Sequence, residues 1–410
     1  MNQKRIRDYA KLLVRNGVNV QKEQLLVINA PVEAYEFARM CTEEAYQAGA
    51  SEVMVKYYDT FKKHLDFQNM SIENLSNFPQ YRIDETADII KRQGCMLSLV
   101  SEVPGILKDI SQEKLQATSL ASSKAMKPYR YYTMSNYGQW TVAAYPNTVW
   151  AQKIFPDLTK DAAYEALFEK ILSASRVDGN DPVANWNQHN EEISKHTEIL
   201  NNYNFKSLHF VNELKTDLVV ELANGHIWEG GSDQTRETKV TFNPNIPTEE
   251  VFTMPNRLGV NGIVYASKPL NYQGKLIEDF WLKFVDGKVV DFDAKKGKDA
   301  LQNLLDTDEN SKYLGEVALI SHDSPISNLD ILFFTTLFDE NASCHLALGA
   351  AYPTNLKNGT KMSEEELLNH GGNVSMSHSD FMFGSRGMNI YGLTQSGQEV
   401  QIFKDGNFII

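Results

Sequence analysis

The chain has 410 residues, 42% hydrophobic and 23% charged, which are ordinary proportions for a globular protein of two or three domains. Its net charge of −13 argues against nucleic acid or an anionic membrane as a partner. No apolar run approaches the roughly 20 residues of a membrane-spanning helix, and the amphipathic start MNQKRIRDYAKLLVRNG is unlike a secretory signal. The widely separated Cys41, Cys95 and Cys344 favour free thiols in a reducing compartment. We therefore expect a soluble cytoplasmic protein.

The first half of the chain alternates between helical and strand patterns. A helix over about residues 2–15 ends at Asn16-Gly17, and a second helix extends from Pro31 to Gly49. The strand patterns between and after them are QLLVINA, SEVMVKYYD, CMLSLV and QWTVAAYP. This alternation predicts an α/β N-terminal domain, residues 1–200, with a mainly parallel sheet. No glycine-rich phosphate-binding motif follows the first strand, so a nucleotide site is unsupported.

From about residue 205 the pattern changes to short apolar runs separated by tight turns. Asn224-Gly225, Asp286-Gly287 and Asp405-Gly406 are each typical of a two-residue hairpin turn. The turn-rich stretch DGNDP, residues 178–182, is a candidate hinge or border. The pattern predicts an α+β C-terminal domain, residues 201–410, that is rich in antiparallel strands.

Near the C-terminus, the stretch NVSMSHSDFMFG places a histidine and a carboxylate two residues apart. In an extended strand, His378 and Asp380 point to the same face, which they share with Val374, Met376 and Met382. Two explanations are open at this point: a histidine that is hydrogen-bonded to a carboxylate inside a core, or a pair of metal ligands.

Other acids of the second half also stand in apolar surroundings. Glu249 and Glu250 lie in NIPTEEVFTMPN, where we expect one of them to point inward, and Glu316 lies in the strand pattern LGEVALIS. In FDENASCHLALGAAYP, a helix over residues 342–351 would put Glu340 at its start and His345 and Tyr352 two turns apart on one face. Each acid could equally be a salt-bridge partner, an exposed loop residue or a helix cap.

Buried acids and histidines are destabilising unless they are paired or bound to a cation. A pair of divalent ions about 3.5–4 Å apart needs a bridging carboxylate, terminal carboxylates and imidazoles. The last 160 or so residues offer this mixture of donors: Glu250, Glu316, Glu340, His345, His378 and Asp380. Histidine nitrogen suits zinc or cobalt, and magnesium or manganese are further candidates.

A second pair of histidines resembles a zinc-binding helix only superficially. His189 and His196 are two helical turns apart, whereas the H-E-x-x-H motif needs histidines that are one turn apart. We therefore expect this pair to lie on a solvated helix face.

The segments NIPTEEVFTMPN, LGEVALI, SPISN, LFDENASCHLALGAAYP and HSDFMFG, in this order, resemble the aminopeptidase T / aminopeptidase S (PepS-like) family of bacterial dimetal metallo-aminopeptidases. The similarity includes VDGNDPVANW and LLVRNGVNVQ and so spans the whole chain. It implies an N-terminal α/β domain, a C-terminal catalytic domain with two divalent ions, a homodimer, and the release of N-terminal amino acids from peptides. It places metal ligands at Glu250, Glu316, Glu340, His345, His378 and Asp380.

The resemblance also implies roles for two catalytic residues. Glu316 would bridge the metals or act as a base, and Tyr352 falls on the active-site tyrosine, which could donate to the tetrahedral oxyanion. One metal would hold the free amine of the peptide substrate. Two alternatives stay open: an inactive peptide-binding protein of the same fold, and a dimetal esterase or phosphoesterase. Only Arg257 and Arg386 lie near the motifs, which disfavours phosphate chemistry.

Overall fold

The computed structural model describes residues 2–179, 181–272 and 275–410. The chain divides into two compact units, one of Met1–Gln188 with Ser232–Pro247 and one of His189–Gly231 with Thr248–Ile410. The boundary expected near residue 200 stays a prediction. Asn180, in the predicted hinge DGNDP, lies outside the described residues.

The first half of the chain is mainly helical, with four strands between the helices. In chain order its elements are α1 (Gln3–Leu12), a π-helical turn (Leu13–Gly17), β1 (Leu25–Pro31), a 3₁₀ turn (Val32–Ala34), α2 (Tyr35–Ala48), β2 (Glu52–Tyr58), α3 (Thr60–Asn69), α4 (Ile72–Ser76), α5 (Gln80–Lys91), β3 (Cys95–Val100), α6 (Gln112–Ala125), α7 (Lys127–Met134), β4 (Trp140–Ala144), α8 (Thr148–Ile154), α9 (Lys160–Ala174) and α10 (Pro182–Tyr203).

The second half is mainly strands. Its elements are β5 (Phe205–Val211), β6 (Asp217–Leu222), β7 (Glu229–Gly230), β8 (Asp233–Gln234), β9 (Thr241–Phe242), β10 (Asn245–Ile246), β11 (Val251–Thr253), β12 (Pro255–Tyr265), β13 (Leu270–Tyr272), β14 (Lys275–Val285), β15 (Lys288–Lys296), α11 (Lys298–Leu305), β16 (Leu314–Leu319), a 3₁₀ turn (Ser327–Leu329), α12 (Thr336–Asp339), a 3₁₀ turn (Glu340–Ala342), β17 (His345–Gly349), two 3₁₀ turns (Pro353–Asn355 and Gly359–Lys361), α13 (Glu364–Asn369), β18 (His378–Met382), β19 (Asn389–Thr394), β20 (Glu399–Lys404) and β21 (Asn407–Phe408).

The first unit is built on a parallel sheet with the strand order β10-β4-β3-β1-β2. Its inner strand β1 is almost entirely buried, which is typical of a parallel strand covered on both faces. Helix α2 ends where Gly49 takes a left-handed φ of 100°, the predicted C-terminal cap. The predicted α/β architecture of this region is confirmed. Across the described stretches of chain, no helix combines the length and apolar character needed to cross a membrane.

The second unit contains two antiparallel sheets, as the sequence predicts. One has the order β13-β14-β12-β6-β5-β19-β20-β21, with β15 paired to β14, and the other has the order β18-β17-β16-β11-β7. Asp286-Gly287 and Asp405-Gly406 form the predicted hairpin turns between β14 and β15 and between β20 and β21.

The hairpin predicted at Asn224-Gly225 is wrong. After β6 the chain turns at residues 223–226, where the His226 amide donates to the Ala223 carbonyl, and Gly225 then accepts from the amide of Lys357. The next strand, β7, pairs with β11 in the other sheet. The turn at Asn224-Gly225 therefore connects β6 in one sheet to β7 in the other.

The helix considered for residues 342–351 is also wrong, because His345–Gly349 forms β17, an inner strand of the five-stranded sheet. Leucine and alanine have high helix propensity, but the pairing of β17 with β16 and β18 outweighs that local preference. One face of this sheet contributes apolar side chains to the core of the unit: Val251, Val317, Leu319, Leu346, Leu348 and Phe381. The opposite face carries the polar residues described next.

Candidate metal centre

Strand register brings the predicted ligands of three strands onto one face of the five-stranded sheet. Glu316 on β16 lies opposite Ala347 on β17, and Ala347 lies opposite Asp380 on β18. His345 lies two residues before Ala347, opposite Ala318 of β16, and His378 begins β18 two residues before Asp380. Because side chains alternate along a strand, these four polar groups share a face. The same-face placement predicted for His378 and Asp380 is therefore observed.

Small residues on β17 leave space above this face. Ala347 presents only a methyl group between the carboxylates of Glu316 and Asp380. Gly349, which pairs with His378, has a φ of 106°, and a Cβ at this position would lie 2.1 Å from the carbonyl oxygen of Ser377. A larger side chain at residue 347 would occupy the space between these carboxylates, and any side chain at residue 349 would collide with the backbone of Ser377.

The two histidines are held in one orientation by backbone carbonyls. The Nδ1 of His345 donates to the carbonyl of Glu340 at 2.9 Å, and the Nδ1 of His378 donates to the carbonyl of Ala350 at 2.7 Å. Both rings therefore turn Nε2 toward the carboxylates. This is the arrangement in which histidines usually bind a metal, with one nitrogen fixed by a hydrogen bond and the other directed at the ion.

The Nε2 atoms face carboxylate oxygens at short distances. Nε2 of His345 lies 3.1 Å from Glu250 and 3.3 Å from Glu316, and Nε2 of His378 lies 3.2 Å from Asp380 and 3.7 Å from Glu316. Among the described residues, the donor atoms form two groups within 4.8 Å, Glu250–Glu316–His345 and Glu316–His378–Asp380. Both groups contain Glu316, which is only 4% exposed.

Glu250 and Glu340 approach this face from outside strands β16, β17 and β18. Glu250 immediately precedes β11, and Glu340 begins the 3₁₀ turn that follows α12. Glu340 belongs to neither three-residue group, but it lies close enough to Asp380 and Glu250 to interact with them electrostatically. The structure thus brings all six predicted ligands to one place.

The cluster contains more negative charge than its histidines can neutralise. Burial, with repulsion from Asp380 and Glu250, raises the pKa of Glu340 well above its usual range. Burial also raises the pKa of Glu316, against the hydrogen bond from His345. Burial alone would lower the pKa of His378, but Asp380 and Glu316 outweigh it and raise that pKa to about 10.

Burial and mutual repulsion therefore favour the protonated forms of Glu316 and Glu340, whose charged forms need a nearby cation. A divalent ion would displace those protons, because metal ligands bind in their deprotonated forms. Carboxylate oxygens and imidazole nitrogens are the donor set that zinc and cobalt accept. The residues present therefore fit a metal centre.

Tyr352 lies beside the cluster. It is not placed there by a helix over residues 342–351, as was considered from the sequence. It follows β17, and its ring lies edge-on to His378 at 4.9 Å and to Phe252 at 6.1 Å between centroids. Burial, followed by the negative charge of Glu316 and Asp380, raises its pKa well above 10. The phenol is therefore protonated and can donate a hydrogen bond beside the carboxylates.

Three local expectations from the sequence are corrected here. Both Glu249 and Glu250 have buried side chains, whereas only one was expected to point inward. His189 is buried, and its Nε2 lies 2.7 Å from the carbonyl of Thr248, so it is not on a solvated helix face. Met376 precedes β18 and is 74% exposed, so it is not part of the inward face.

Sequence reasoning also missed Asn341, which is fully buried beside Glu340. Its side chain accepts a hydrogen bond from the amide of Glu249 at 2.8 Å, although the two residues are far apart in sequence. An asparagine that follows a glutamate carries no periodic signal, so no pattern indicates this contact.

Comparison with known proteins agrees with the architecture and with a metal-dependent activity. The Peptidase_M29 family, described as thermophilic metalloprotease (M29), matches residues 2–408. The chain is 42% identical over 407 residues to Aminopeptidase 2 of Geobacillus stearothermophilus. The alignment covers 99% of this chain and 98% of that protein. It is 41% identical over 404 residues to Aminopeptidase AmpS of Bacillus subtilis (strain 168), and the alignment covers 98% of both proteins.

A solved structure is similar over the full length. The wild-type AmpT from Thermus thermophilus matches with a TM-score of 0.93 and 36% identity, and all of both chains is covered. The fold and the buried cluster of acids and histidines thus define a metalloprotease. Within that class, the chain belongs to the M29 family, and the family resemblance stated from the sequence is confirmed.

Proposed function

We infer that the chain is a metallo-aminopeptidase that releases N-terminal amino acids from peptides by means of water activated at a two-metal centre. Membership of the M29 family and similarity to aminopeptidases over nearly their whole length support the metal-dependent exopeptidase activity. The observation that carries the two-metal proposal is the pair of three-residue donor groups that meet at Glu316.

The two groups suggest how the ligands are shared. Glu250, Glu316 and His345 would hold one ion, and Glu316, His378 and Asp380 would hold the other, with Glu316 between them. Together with Glu340, the cluster has four carboxylates, whose total charge two divalent ions would balance. Two ions held in this way would lower the pKa of a shared water toward neutrality and polarise the scissile carbonyl.

The chain's own groups supply the remaining chemistry. The resemblance gives Glu316 either a bridging or a base role, and its carboxylate could accept a proton from the attacking water if it acts as the base. The protonated Tyr352 can donate to the oxyanion of the tetrahedral intermediate, because its hydroxyl stands beside the cluster. As the family resemblance implies, the free amine of the peptide would be held at one of the two donor groups.

Three finer features are part of the proposal. Zinc or cobalt is the proposed metal, because two imidazoles contribute to a site that is otherwise made of carboxylates. A cytoplasmic location agrees with three cysteines that are all free and buried, Cys41, Cys95 and Cys344. The homodimer rests on the family resemblance alone, and sedimentation of the purified chain would test it.

The test is hydrolysis of leucine p-nitroanilide compared with that of its N-acetyl derivative, before and after chelation. We expect cleavage of the free-amine substrate only, loss of that cleavage on chelation, and its recovery with zinc or cobalt. Equal cleavage of the acetylated substrate would contradict the exopeptidase assignment. Activity that survives complete removal of metal would contradict the metal centre.

A further inference from the structure

The turn that carries Glu340 and the strand entrance that carries Glu250 are joined by one buried side chain. Asn341 is fully buried, and its Oδ1 accepts the Glu249 amide at 2.8 Å. Its Nδ2 donates to the Leu337 carbonyl at 3.0 Å and approaches a carboxylate oxygen of Glu340 at 3.4 Å. A single amide thus contacts the segments of two proposed metal ligands that are about 90 residues apart in sequence.

The same residue also affects a third ligand through the backbone. The carbonyl of Glu340, directly before Asn341, accepts the Nδ1 proton of His345 at 2.9 Å. A displacement of this turn would therefore move the Glu340 carboxylate and the acceptor that orients the His345 ring. Such outer contacts fix ligand geometry, and their loss typically weakens metal binding about 10–100-fold.

We propose that Asn341 is a positioning residue of the metal centre, which holds Glu250, Glu340 and His345 in their binding arrangement without binding the metal itself. This inference rests on the proposed two-metal function. It assigns Asn341 no contact with the substrate.

The chain offers a matched control in Asn147, at the start of α8 in the other unit. Its Oδ1 accepts the Trp150 amide at 2.8 Å, and its Nδ2 donates to the Glu102 carbonyl at 2.6 Å and to the Ser101 hydroxyl at 2.9 Å. Asn147 is also buried, and none of these three bonds involves a proposed ligand. Truncation of either asparagine removes the same kinds of hydrogen bond, so the two variants separate general destabilisation from an effect on metal binding.

The experiment compares Asn341→Ala, Asn341→Ser and Asn147→Ala. Serine is the milder change at 341, because its hydroxyl can bond to the carbonyl four residues earlier, that of Leu337, while it is too short to reach Glu340. Zinc affinity is measured by competition with a chromogenic chelator, and the unfolding temperature is measured on the metal-free proteins. We expect both Asn341 variants to bind zinc about 10–100-fold more weakly, and Asn147→Ala to bind it as the wild type does.

A double-mutant cycle with Glu340→Gln tests whether Asn341 affects zinc binding through Glu340. If Asn341 acts through Glu340, then Asn341→Ala should weaken zinc binding much less in the Glu340→Gln background than in the wild type. Wild-type zinc affinity in folded Asn341→Ser would overturn the positioning role, and so would an equal loss in Asn147→Ala. A wild-type chain that binds no zinc would refute the two-metal proposal itself, which distinguishes the two failures.

Discussion

Glu316→Gln is the substitution that probes the metal centre most directly. Glu316 is the residue that both donor groups share, and its carboxylate faces Nε2 of His345 at 3.3 Å and Nε2 of His378 at 3.7 Å. Glutamine preserves the shape and the packing but removes the negative charge and one metal-binding oxygen. We expect it to remove both the bridge between the ions and any base function.

The size of the effect follows from these roles. Loss of a positioned proton acceptor alone lowers turnover about 10²–10⁴-fold, which corresponds to about 2.7–5.4 kcal/mol of transition-state stabilisation. Glu316→Gln should not lower the stability of the metal-free protein. Its Glu316 is a buried acid with a raised pKa, so the charged form is unfavourable in the folded state. We therefore expect an unfolding temperature that is equal to that of the wild type or higher.

The assay measures kcat and KM for leucine p-nitroanilide at saturating zinc or cobalt, together with thermal unfolding of the metal-free proteins. Glu102→Gln is a suitable control, because burial also raises the pKa of Glu102, which lies in the other unit. Turnover by Glu316→Gln within a few-fold of the wild type would refute the bridging or base role. A large fall in its unfolding temperature would mean that the loss of activity reflects misfolding.

Three further predictions follow from the same geometry. His378→Ala removes a proposed direct ligand. It should therefore weaken zinc binding more than about 100-fold, the upper limit for the loss of a residue that only contacts a ligand, and chelator competition measures this. Tyr352→Phe should lower kcat for leucine p-nitroanilide about 10²–10³-fold, with zinc affinity unchanged, because it removes only a donor to the oxyanion; a change in zinc affinity instead of kcat would contradict this. Without divalent ions, the unfolding temperature should fall as pH rises from about 6.5 toward 10. The pKa of His378 is raised to about 10 in the folded chain, whereas it is about 6.5 in the unfolded chain. The protonated ring therefore contributes its full stability below about pH 6.5, and this stability is lost as the pH rises toward about 10. Calorimetry of His378→Ala should show a weaker dependence on pH.

Much of the architecture could be predicted because it depends on local patterns. The strand–helix alternation of the first half produced a parallel sheet, and Asp286-Gly287 and Asp405-Gly406 formed their hairpins. The shared face of His378 and Asp380 follows from the two-residue period of a strand. The strands, turns and side-chain faces themselves are indicated by residues close together in sequence.

The features that could not be predicted depend on contacts between distant residues. His345–Gly349 is a strand because β16 and β18 pair with it, although its own composition also suits a helix. His189 is buried because the Thr248 carbonyl accepts its ring nitrogen. The carbonyls that orient His345 and His378 belong to Glu340 and Ala350, and a backbone acceptor leaves no trace in the sequence.

The central claim, a centre of two metal ions, is tested most directly by titration of the metal-free chain with zinc. Bound metal is measured by elemental analysis, and hydrolysis of leucine p-nitroanilide is followed in the same samples. The geometry predicts that two ions bind to each chain and that full activity returns only with the second equivalent. Saturation at one ion per chain with full activity would contradict the account, because the two donor groups that meet at Glu316 would then not both be used.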